Sequence, residues 1–455
     1  MCRSREPWRG SPLHLILSLY LHCYFTAAPV TSLPSTASPL IEGTPFAVIW
    51  NAPTHVCENH QIPLDFSAFQ AVTTPASEPD QFLSLFYSNR LGLYPYTNPT
   101  TGKQYNGGIP QKGNLSASLK KANSDIAQYI PGVSRGLAVI DWEAWRPLWE
   151  RNWESKDIYR KLSIQYAEAR DASLSPHMAA TVAKEQFEKA ARSYMEETME
   201  LGIRKRPNYL WGYYLFPNCY NYNWNDPGYT GECPDVEKTR NNELLWLWES
   251  STALFPSAYL PVSLKQSRKV ALFVRGVVKE ALRVSALPKQ PYTAPIYVYL
   301  QPLFRDQNDV YLSEADLVRS IGESAALGAS GAVLWGASAN YNNKASCELL
   351  ADYLRSTLNP YIANVTAATK LCSNTLCQGK GRCVRKNPNS DDYLYLSSDH
   401  FHIQEWKGKY LAVGVPSQSD LKVFAEKFTC QCYVGKKCFA NLSISPPKTP
   451  VVIKI

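Results

Sequence analysis

Gly136-Leu-Ala-Val-Ile-Asp-Trp-Glu-Ala-Trp-Arg146 is the stretch on which the fold depends, because it sets an apolar run directly before two carboxylates. The apolar residues from Leu137 to Ile140 predict a strand that is covered on both faces. In α/β folds the carboxyl ends of such strands carry the functional sites. Residues i and i+2 of a strand point to the same side, so Asp141 and Glu143 are expected to face one space while Trp142 faces away.

Two carboxyl groups held this close cannot both ionise freely. One of them is expected to have a raised pKa and to act as a proton donor, a division of labour that glycoside hydrolysis requires. A solvated strand end or a structural ion pair would explain the same short pattern. From the spacing alone, catalysis and a structural role both stay open.

Length and composition indicate a globular protein with a large core. The chain has 455 residues, of which 45% are hydrophobic and 19% charged, so we expect one large domain and a smaller one. Arg3, Arg5 and Arg9 precede an apolar stretch, 13–28, and small residues follow it. This order predicts a signal peptide over residues 1–32. An uncleaved anchor is the alternative, but the apolar core is short for a membrane span.

Of the 12 cysteines, Cys2 and Cys23 lie in the predicted signal peptide, and an even number remains. In a secreted chain this indicates disulfides. Sequons at Asn114, Asn364 and Asn441 are candidate glycosylation sites on the same route. Residues 446–455 are too short and too interrupted for a lipid-anchor signal, so we expect a soluble, extracellular protein with no transmembrane segment. A cell-surface or vesicular location is the alternative.

The net charge suits a polyanionic partner. Lys and Arg number 47 against 39 Asp and Glu, which gives +8 at pH 7. A solvated surface explains the same excess, and clusters such as 120–121 and 204–206 are typical of exposed helix faces, so no nucleic-acid partner is expected. The histidines show no ligand spacing, so neither a metal nor another cofactor is expected; they include His55, His60, His177, His400 and His402.

Strand patterns and helix patterns alternate along the chain. Strands are predicted at 46–51, 83–88, 210–215, 257–262, 296–300 and 331–336, and helices at 178–201 (ending at Gly202), 269–284, 314–327 and 349–357. This repeated order argues for an irregular parallel (β/α) barrel of the TIM type over residues 33–360.

Beyond Cys347 the pattern changes. After a predicted linker, 361–371, cysteines crowd together between Cys372 and Cys438 with the spacing of an epidermal-growth-factor-like module over 372–440, followed by a tail, 441–455. Such a cysteine cluster could bind zinc or form disulfides. Disulfides are expected because the chain is predicted to be secreted. The module has a long insertion, in which apolar residues could form extra strands: Leu394, Leu396, Phe401, Ile403, Tyr410, Ala412 and Val423.

Four segments together resemble the animal hyaluronidases of glycoside hydrolase family 56. They are the opening stretch, Asn51-Ala-Pro53, Gly107-Gly-Ile-Pro-Gln111 and Leu210-Trp-Gly-Tyr-Tyr-Leu-Phe-Pro-Asn-Cys-Tyr220. The resemblance covers roughly residues 46–438 and is far more specific than a lone Asp-x-Glu. Within the family, Trp211 to Pro217 and Ser251 to Leu254 are most similar to the branch that contains the sperm-surface and type-4 enzymes.

The resemblance implies a role for each residue of the carboxylate pair. Glu143 would be the general acid that protonates the glycosidic oxygen. No second carboxylate would act as nucleophile, because the N-acetyl oxygen of the substrate attacks the anomeric carbon. Asp141 would orient the acetamido group and stabilise its positive charge, and Tyr214 would donate a hydrogen bond to it.

The resemblance also implies groove or orienting roles for further residues. Tyr259 would be a second groove tyrosine, and Trp335 would wall the acetamide methyl group. The arginines could bind glucuronate carboxylates in bidentate fashion, or they could be structural ion pairs. The remaining candidates are Tyr87, Arg146, Arg275 and Asp306.

The resemblance also implies the covalent frame and the activity. The expected disulfides are Cys57–Cys347, Cys219–Cys233, Cys372–Cys383, Cys377–Cys430 and Cys432–Cys438. The expected activity is that of a monomeric, secreted endo-β-N-acetylhexosaminidase that cuts the β-1,4 bonds of hyaluronan with retention and acts more weakly on chondroitin. Tyr259 favours hyaluronan, because a chondroitin-selective member has a smaller side chain there. The alternatives are a chondroitin-selective hydrolase and a catalytically weak glycosaminoglycan-binding or adhesion protein.

Overall fold

Parallel strands at the centre of the protein carry the site. The structure is a computed structural model that describes residues 33–455, so the predicted signal peptide lies outside the described residues. In chain order the strands are β1 (Ala47–Asn51), β2 (Ala71–Thr73), β3 (Leu83–Tyr87), β4 (Tyr96–Thr97), β5 (Gln104–Tyr105), β6 (Gly136–Asp141), β7 (Tyr209–Tyr213), β8 (Tyr297–Leu300), β9 (Gly331–Trp335), β10 (Gly381–Arg385), β11 (Phe401–Trp406), β12 (Lys409–Gly414), β13 (Phe428–Cys432) and β14 (Val451–Lys454).

Helices follow most of the central strands. In chain order they are α1 (Val56–Asn59), α2 (Leu115–Tyr129), α3 (Asp157–Arg170), α4 (Pro176–Lys205), α5 (Asp235–Glu243), α6 (Leu245–Ser250), α7 (Lys269–Ser285), α8 (Glu314–Leu317), α9 (Glu323–Leu327), α10 (Lys344–Tyr353), α11 (Asn359–Leu376) and α12 (Gln418–Lys427). Short π-helical segments join α8 to α9 and α10 to α11. No helix of residues 33–455 is long and apolar enough to cross a membrane.

The central strands form one continuous parallel array. One sheet has the order β3-β6-β7 and another the order β2-β1-β9-β8, with every neighbouring pair parallel. Isolated bridges join the two sheets through residues 254–257, which pair with Tyr214 on one side and with Ile296 and Tyr299 on the other. Parallel strands with helical crossovers are the arrangement that the alternating sequence predicts.

The two faces of this array pack into different clusters. Alternate residues of six segments share one interior cluster: Ile49, Leu83, Leu85, Leu137, Val139, Ala253, Phe255, Tyr297, Tyr299 and Val333. The residues between them, such as Trp50, Ile140 and Trp211, pack outward in the larger core. Both faces are therefore covered, which explains the uninterrupted apolar runs in these strands.

Helix α4 is longer than its pattern predicts. The Ser175 side chain accepts a hydrogen bond from Met178 N and Pro176 occupies the first turn, so the helix begins with standard capping chemistry. The predicted stop at Gly202 is wrong, because the helix continues to Lys205. A Cβ atom at position 202 would lie 2.6 Å from the Trp211 ring. Gly202 therefore serves close packing against β7 rather than termination.

The strand predicted at 257–262 does not form. Only isolated bridges at Leu254, Phe255 and Ser257 lie in this region, and Val262–Leu264 is a 3-10 turn. Pro256 and Pro261 have no N–H group to donate to a ladder, so regular pairing is interrupted on both sides.

The predicted linker at 361–371 is the middle of a buried helix. Residues 361–371 lie within α11, and side chains such as Ile362, Val365 and Leu371 are buried. The predicted closing helix, 349–357, starts earlier, at Lys344, and passes through a π-helical segment into α11. Helix α11 contacts β1 as well as β10 and β12, so residues 33–455 form one compact unit without a flexible connection here.

The cysteine-rich region contains two small antiparallel sheets. Strand β10 pairs with β13, and the insertion adds β11 and β12, which pair with each other. Strand β12 also pairs with β14, so it lies in the middle of a three-stranded sheet. Leu394 and Leu396 are buried outside the strands, and Val423 lies on helix α12, so these three are not strand residues. The structure contains five disulfides, the same five pairs that the resemblance implies.

Residues 34–37, the amino-terminal strap, join two distant parts of the chain. Thr36 N donates to Cys432 O at 2.9 Å, and Val434 N donates to Thr36 O at 2.8 Å. Thr293 N donates to Ser35 O at 2.8 Å. The strap therefore lies between the segment before β8 and the end of β13.

Candidate active site

A small cavity lies at the carboxyl ends of the central strands. Its volume is about 160 Å³, and it is lined by Leu85, Asp141, Glu143, Tyr214, Tyr259, Tyr299 and Trp335. Asp141 and Trp335 are the last residues of β6 and β9, and Tyr214 directly follows β7. This is the edge at which parallel α/β folds place their sites.

Asp141 is the buried member of the carboxylate pair. Its Oδ1 atom is buried and has no hydrogen-bond partner among the described residues. Burial, and then the charge of and hydrogen bond with Glu143, raise the pKa of Asp141 to about 8, while the Arg146 charge opposes this rise. The raised pKa that the sequence predicts for the proton donor of this pair belongs to Asp141 in the structure. In the resting site the pair therefore retains one proton near neutral pH.

Glu143 is more accessible and is held by its own loop. Half of its side chain is exposed, and its Oε1 lies 3.7 Å from Arg146 Nη2. The buried Arg146 also donates through Nη1 to the Glu143 carbonyl at 2.8 Å, and its backbone N–H donates to Asn152 Oδ1 at 2.9 Å. Trp142 faces away from the cavity and stacks on Tyr94, with ring centroids 4.7 Å apart. These contacts fix the accessible carboxyl group near the buried one.

Aromatic side chains form the walls of the cavity. The rings of Tyr259 and Trp335 stack with centroids 6.0 Å apart and planes 16° apart, and Tyr214 lies 6.2 Å from Tyr259. Tyr214 donates to Ser257 Oγ at 3.2 Å, and burial raises its pKa, so it remains a neutral hydrogen-bond donor. Such a wall suits a ligand with apolar faces and polar edges.

The family model described as hyaluronidase matches residues 35–441 of this chain. The chain belongs to glycoside hydrolase family 56. The family that the sequence motifs predicted is therefore confirmed.

Similar relatives are hyaluronidases from mammals. Mouse hyaluronidase-5 is 47% identical over 450 residues, covering 98% of this chain and 84% of the relative. Human hyaluronidase PH-20 is 47% identical, covering 88% and 79%, and human hyaluronidase-4 is 42% identical, covering 93% and 88%. These relatives fall in the branch that the sequence motifs indicated.

The solved structures of bee venom hyaluronidase show the same fold. One of them aligns with a TM-score of 0.62 and 32% identity over 70% of this chain and 99% of the bee chain. A second, solved in complex with a hyaluronic acid tetramer, aligns with a TM-score of 0.61 and 32% identity over 70% and 98%.

Tyr87 and Arg146, two of the predicted groove or orienting residues, contact residues that line the small cavity. Tyr87 ends β3, pairs in register with Asp141, and accepts a hydrogen bond from Trp335 Nε1 at 3.3 Å. Arg146 contacts Glu143 as described above. Their contacts fit orienting roles, because Tyr87 is hydrogen-bonded to the Trp335 ring and Arg146 contacts the Glu143 carboxyl group.

Arg275 is a structural residue rather than a groove residue. It is buried on α7, where Nε donates to Glu323 Oε1 at 2.7 Å and Nη2 donates to Asp391 Oδ1 at 2.8 Å. Arg385 of β10 also binds Glu323, with Nη1 at 3.2 Å from Oε2. These four residues, the buried ion network, join α7 and α9 to the insertion. The donors of Arg275 are used there, and the residue does not line the cavity.

Asp306 also lies outside the cavity. It is exposed in the loop after β8, and its Oδ1 accepts a hydrogen bond from Val262 N at 2.8 Å. Its position fits a loop-stabilising role, which corrects its assignment to the groove.

The sequons differ in exposure. Asn114 is exposed at the start of α2, where its side chain accepts from Ala117 N, and Asn441 is partly exposed. Asn364 is 8% exposed; its amide donates to Leu396 O and accepts from Leu396 N, both at 2.9 Å. Because this amide is mostly buried and already hydrogen-bonded, the folded structure does not favour glycosylation of Asn364.

Tyr299 is a cavity residue that the sequence argument missed. It is 1% exposed, and its hydroxyl has no hydrogen-bond partner among the described residues. The negative charge of Asp141 contributes to the raised pKa of Tyr299, after burial, so the two groups are near each other. The signal available in the sequence was the pair Tyr297 and Tyr299 in the apolar segment 296–300, of which Tyr299 lies nearer the carboxyl end. Its unpaired hydroxyl is placed to donate to a ligand or to Asp141.

Larger cavities lie elsewhere in the described chain but do not combine these groups. The cavity between α10, α11 and the insertion has about 550 Å³ and contains Glu314 as its single carboxylate. Two other cavities, of about 590 and 660 Å³, are lined by exposed carboxylates only: Asp306 and Asp309 in one, and Glu58, Glu78 and Asp80 in the other. The small cavity differs in having a carboxylate with a buried oxygen, Asp141, beside a wall of tyrosine and tryptophan, and we take it as the candidate active site.

Proposed function

We propose that this protein is an endo-β-N-acetylhexosaminidase that hydrolyses the β-1,4 bonds of hyaluronan. The observation that carries the proposal is the buried Asp141 beside the half-exposed Glu143 in a cavity walled by Tyr214, Tyr259 and Trp335. Family membership supports it, as does the bee venom relative solved with a hyaluronic acid tetramer.

Glu143 is the proton donor in this proposal. It transfers its proton to the glycosidic oxygen as the bond to the anomeric carbon breaks, and its exposure lets it reach that oxygen at the cavity mouth. The N-acetyl oxygen of the same sugar forms a bond to the anomeric carbon and gives a cyclic cation. Water then adds to that carbon as its bond to the N-acetyl oxygen breaks, and Glu143 takes a proton from the water, so the acetamido group is restored and the configuration is retained.

Asp141 stabilises the cyclic cation. In the resting site the shared proton resides on Asp141, because its pKa is raised to about 8. The approaching acetamido group favours the ionised form of Asp141, so the proton moves to Glu143 as the substrate enters. Tyr214 donates to the acetamido group, and Trp335 packs against its methyl group. The Tyr214 and Trp335 side chains also exclude water while the cyclic cation forms.

In this proposal the aromatic wall of the cavity determines which substrate is preferred. The stacked pair of Tyr259 and Trp335 narrows the cavity, which disfavours a sulfated sugar and favours hyaluronan over chondroitin. An adhesion protein on the same fold would not need the buried carboxylate pair. Weaker turnover of chondroitin is part of the proposal.

The finer architecture and location are also proposed. The interior cluster draws side chains from six segments of the array, which supports closure of the array into an irregular barrel over 33–360. The disulfides of 372–438 support an epidermal-growth-factor-like module over 372–440, with 441–455 as a tail. We further propose a secreted monomer, glycosylated at Asn114 and Asn441.

Incubation of the secreted protein with hyaluronan and with chondroitin, followed by sizing of the products, tests this function. We expect hyaluronan to be cut internally and faster, and Glu143→Gln to be the matched inactive control. No internal cleavage of either polymer would contradict the proposal. Formation of an inverted glycosyl azide by Asp141→Ala in azide would make Asp141 a covalent nucleophile and exclude substrate assistance.

A further inference from the structure

A row of four aromatic side chains lies beside the candidate active site. The centroid distances are 5.2 Å from Trp153 to Tyr220, 5.9 Å from Tyr220 to Tyr222 and 5.8 Å from Tyr222 to Trp224. Trp153 comes from the loop after β6 and the other three from the loop after β7, so the row lies at the same edge of the array as the cavity. We call these four residues the aromatic ledge.

The aromatic ledge is a surface feature. Tyr222 is 46% exposed, and the other three side chains are partly exposed. Tyr222 and Trp224 rest against Phe273 of α7, with centroids 6.1 Å and 5.8 Å away, which fixes their orientation from below. A rigid, partly exposed aromatic row can bind a ligand with little loss of side-chain entropy.

Cationic groups accompany the aromatic ledge. The guanidinium of Arg305, in the loop after β8, lies 5.6 Å from the Tyr222 ring and 5.7 Å from the Trp224 ring. Arg305 is exposed and does not take part in the ion pairs of residues 33–455. Lys156, in the loop of Trp153, is close enough to Arg146 that this positive charge, after burial, lowers the Lys156 pKa to about 8. The surface therefore combines flat apolar rings with the positive charge of Arg305, which forms no ion pair among the described residues.

Arg146 connects this surface to the acid. It lies 3.7 Å from Glu143, and it is hydrogen-bonded to Asn152, the residue before Trp153 in the chain. The Arg146 N–H donates to Asn152 Oδ1 and Asn152 Nδ2 donates to Arg146 O, both at 2.9 Å. Glu143 protonates the leaving oxygen, so the half of the substrate chain that departs must extend from the Glu143 side of the cavity. The aromatic ledge begins on that side, whereas Tyr214, Tyr259 and Trp335 surround the sugar that keeps the anomeric carbon.

We propose that the aromatic ledge and Arg305 bind the departing, reducing-end half of the hyaluronan chain. The C–H faces of the sugar rings pack on Tyr222 and Trp224, and the Arg305 guanidinium pairs with a glucuronate carboxylate. This inference rests on the proposed function and adds a binding surface on the acid side. The occupant is a carboxylate-bearing polysaccharide, because the surface is aromatic and positively charged at once.

Cleavage of hyaluronan oligosaccharides labelled at the reducing end tests the proposal. We compare the parent with Tyr222→Ala and Arg305→Gln, and use Trp406→Ala as control because Trp406 is 59% exposed on β11. The two ledge variants should raise KM for long chains about tenfold and shift the cuts toward the labelled end, whereas Trp406→Ala should cut at the same positions and rate as the parent. Unchanged cutting positions, or a shift away from the label, would refute it.

Binding separates this proposal from the proposed function. Glu143→Gln with and without each ledge substitution is titrated with hyaluronan oligosaccharides, and thermal melts check folding. A loss of affinity of about tenfold in the double variants, absent with Trp406→Ala, supports the ledge even if the parent shows no turnover. Equal affinity in all variants rejects the ledge even if the parent is fully active.

Discussion

Replacement of Asp141 by asparagine is expected to stabilise the fold while it removes activity. The pKa of this carboxyl is raised from 3.8 to about 8, by burial first and by Glu143 second. At about 1.4 kcal/mol for each tenfold change in acidity, ionisation of Asp141 in the folded protein is opposed by on the order of 5 kcal/mol. An asparagine has nearly the same shape and does not ionise.

The sign of the pH dependence follows from the two states of the chain. The unfolded chain releases the Asp141 proton near an ordinary pKa of 3.8, and the folded protein holds it up to about pH 8. Between these values the folded protein binds more protons, so the free energy of unfolding falls as the pH rises. The loss between roughly pH 4 and pH 7 is on the order of 4 kcal/mol.

Urea unfolding of the parent and of Asp141→Asn, from roughly pH 5 to pH 8, measures this difference. The stability advantage of Asp141→Asn should grow as the pH rises, and Asp309→Asn, at an exposed loop carboxylate, is the matched control. Turnover of Asp141→Asn should fall by about 100- to 1,000-fold, because the cyclic cation loses its anion. If parent and variant lost stability in parallel with pH, the raised pKa of Asp141 would be refuted.

Three further predictions follow from other contacts. Glu143→Gln should fold, be secreted and bind hyaluronan oligosaccharides in titrations, while turnover falls by about 100- to 10,000-fold; substantial residual activity would exclude it as the acid. Arg385→Ala should lower the free energy of unfolding by about 2–3 kcal/mol, because the buried Glu323 loses one of its two guanidinium partners and keeps Arg275. Arg268→Ala, in a more exposed pair with Asp391, should lower it by about 0–1 kcal/mol in the same urea assay. Tyr259→Ser should lower the ratio of hyaluronan to chondroitin turnover in parallel assays, and an unchanged ratio would exclude Tyr259 as a selectivity residue.

Elements with strong local patterns could be predicted from the sequence. The apolar run of β6 ends at Asp141, and the structure puts both carboxylates at the predicted edge. The prediction of a strand at 257–262 was wrong because it rested on the apolar character of the segment alone. Pro256 and Pro261 cannot donate backbone hydrogen bonds, and they interrupt the pairing. Gly202 was taken as a helix stop because its tertiary reason, the Trp211 ring, is not visible in the sequence.

The site residues that lie in the recognised family motifs could be predicted from the sequence. Asp141, Glu143, Tyr214, Tyr259 and Trp335 are all brought to one cavity. Which carboxyl group is buried depends on packing from several strands, so the raised pKa could not be assigned from spacing.

The misassigned residues share one cause. Arg275 donates to Glu323, which lies 48 residues further along the chain. The helical pattern around Arg275 does not indicate which carboxylate its guanidinium contacts. The sequon at Asn364 is a local pattern that carries no information about burial. In both cases the deciding contact comes from a distant segment of the chain.

The amino-terminal strap sets the order in which the chain can complete its structure. Its hydrogen bonds reach Thr293, Cys432 and Val434, and the last two are synthesised almost 400 residues after Thr36. During synthesis the strap residues therefore lack these partners until β13 and the residues after it have been made. A ribosome stalled before β13 would present a chain in which residues 34–37 have no hydrogen bonds to the cysteine-rich region and are more open to proteases. The strap thus depends for its anchoring on a segment that is made long after it.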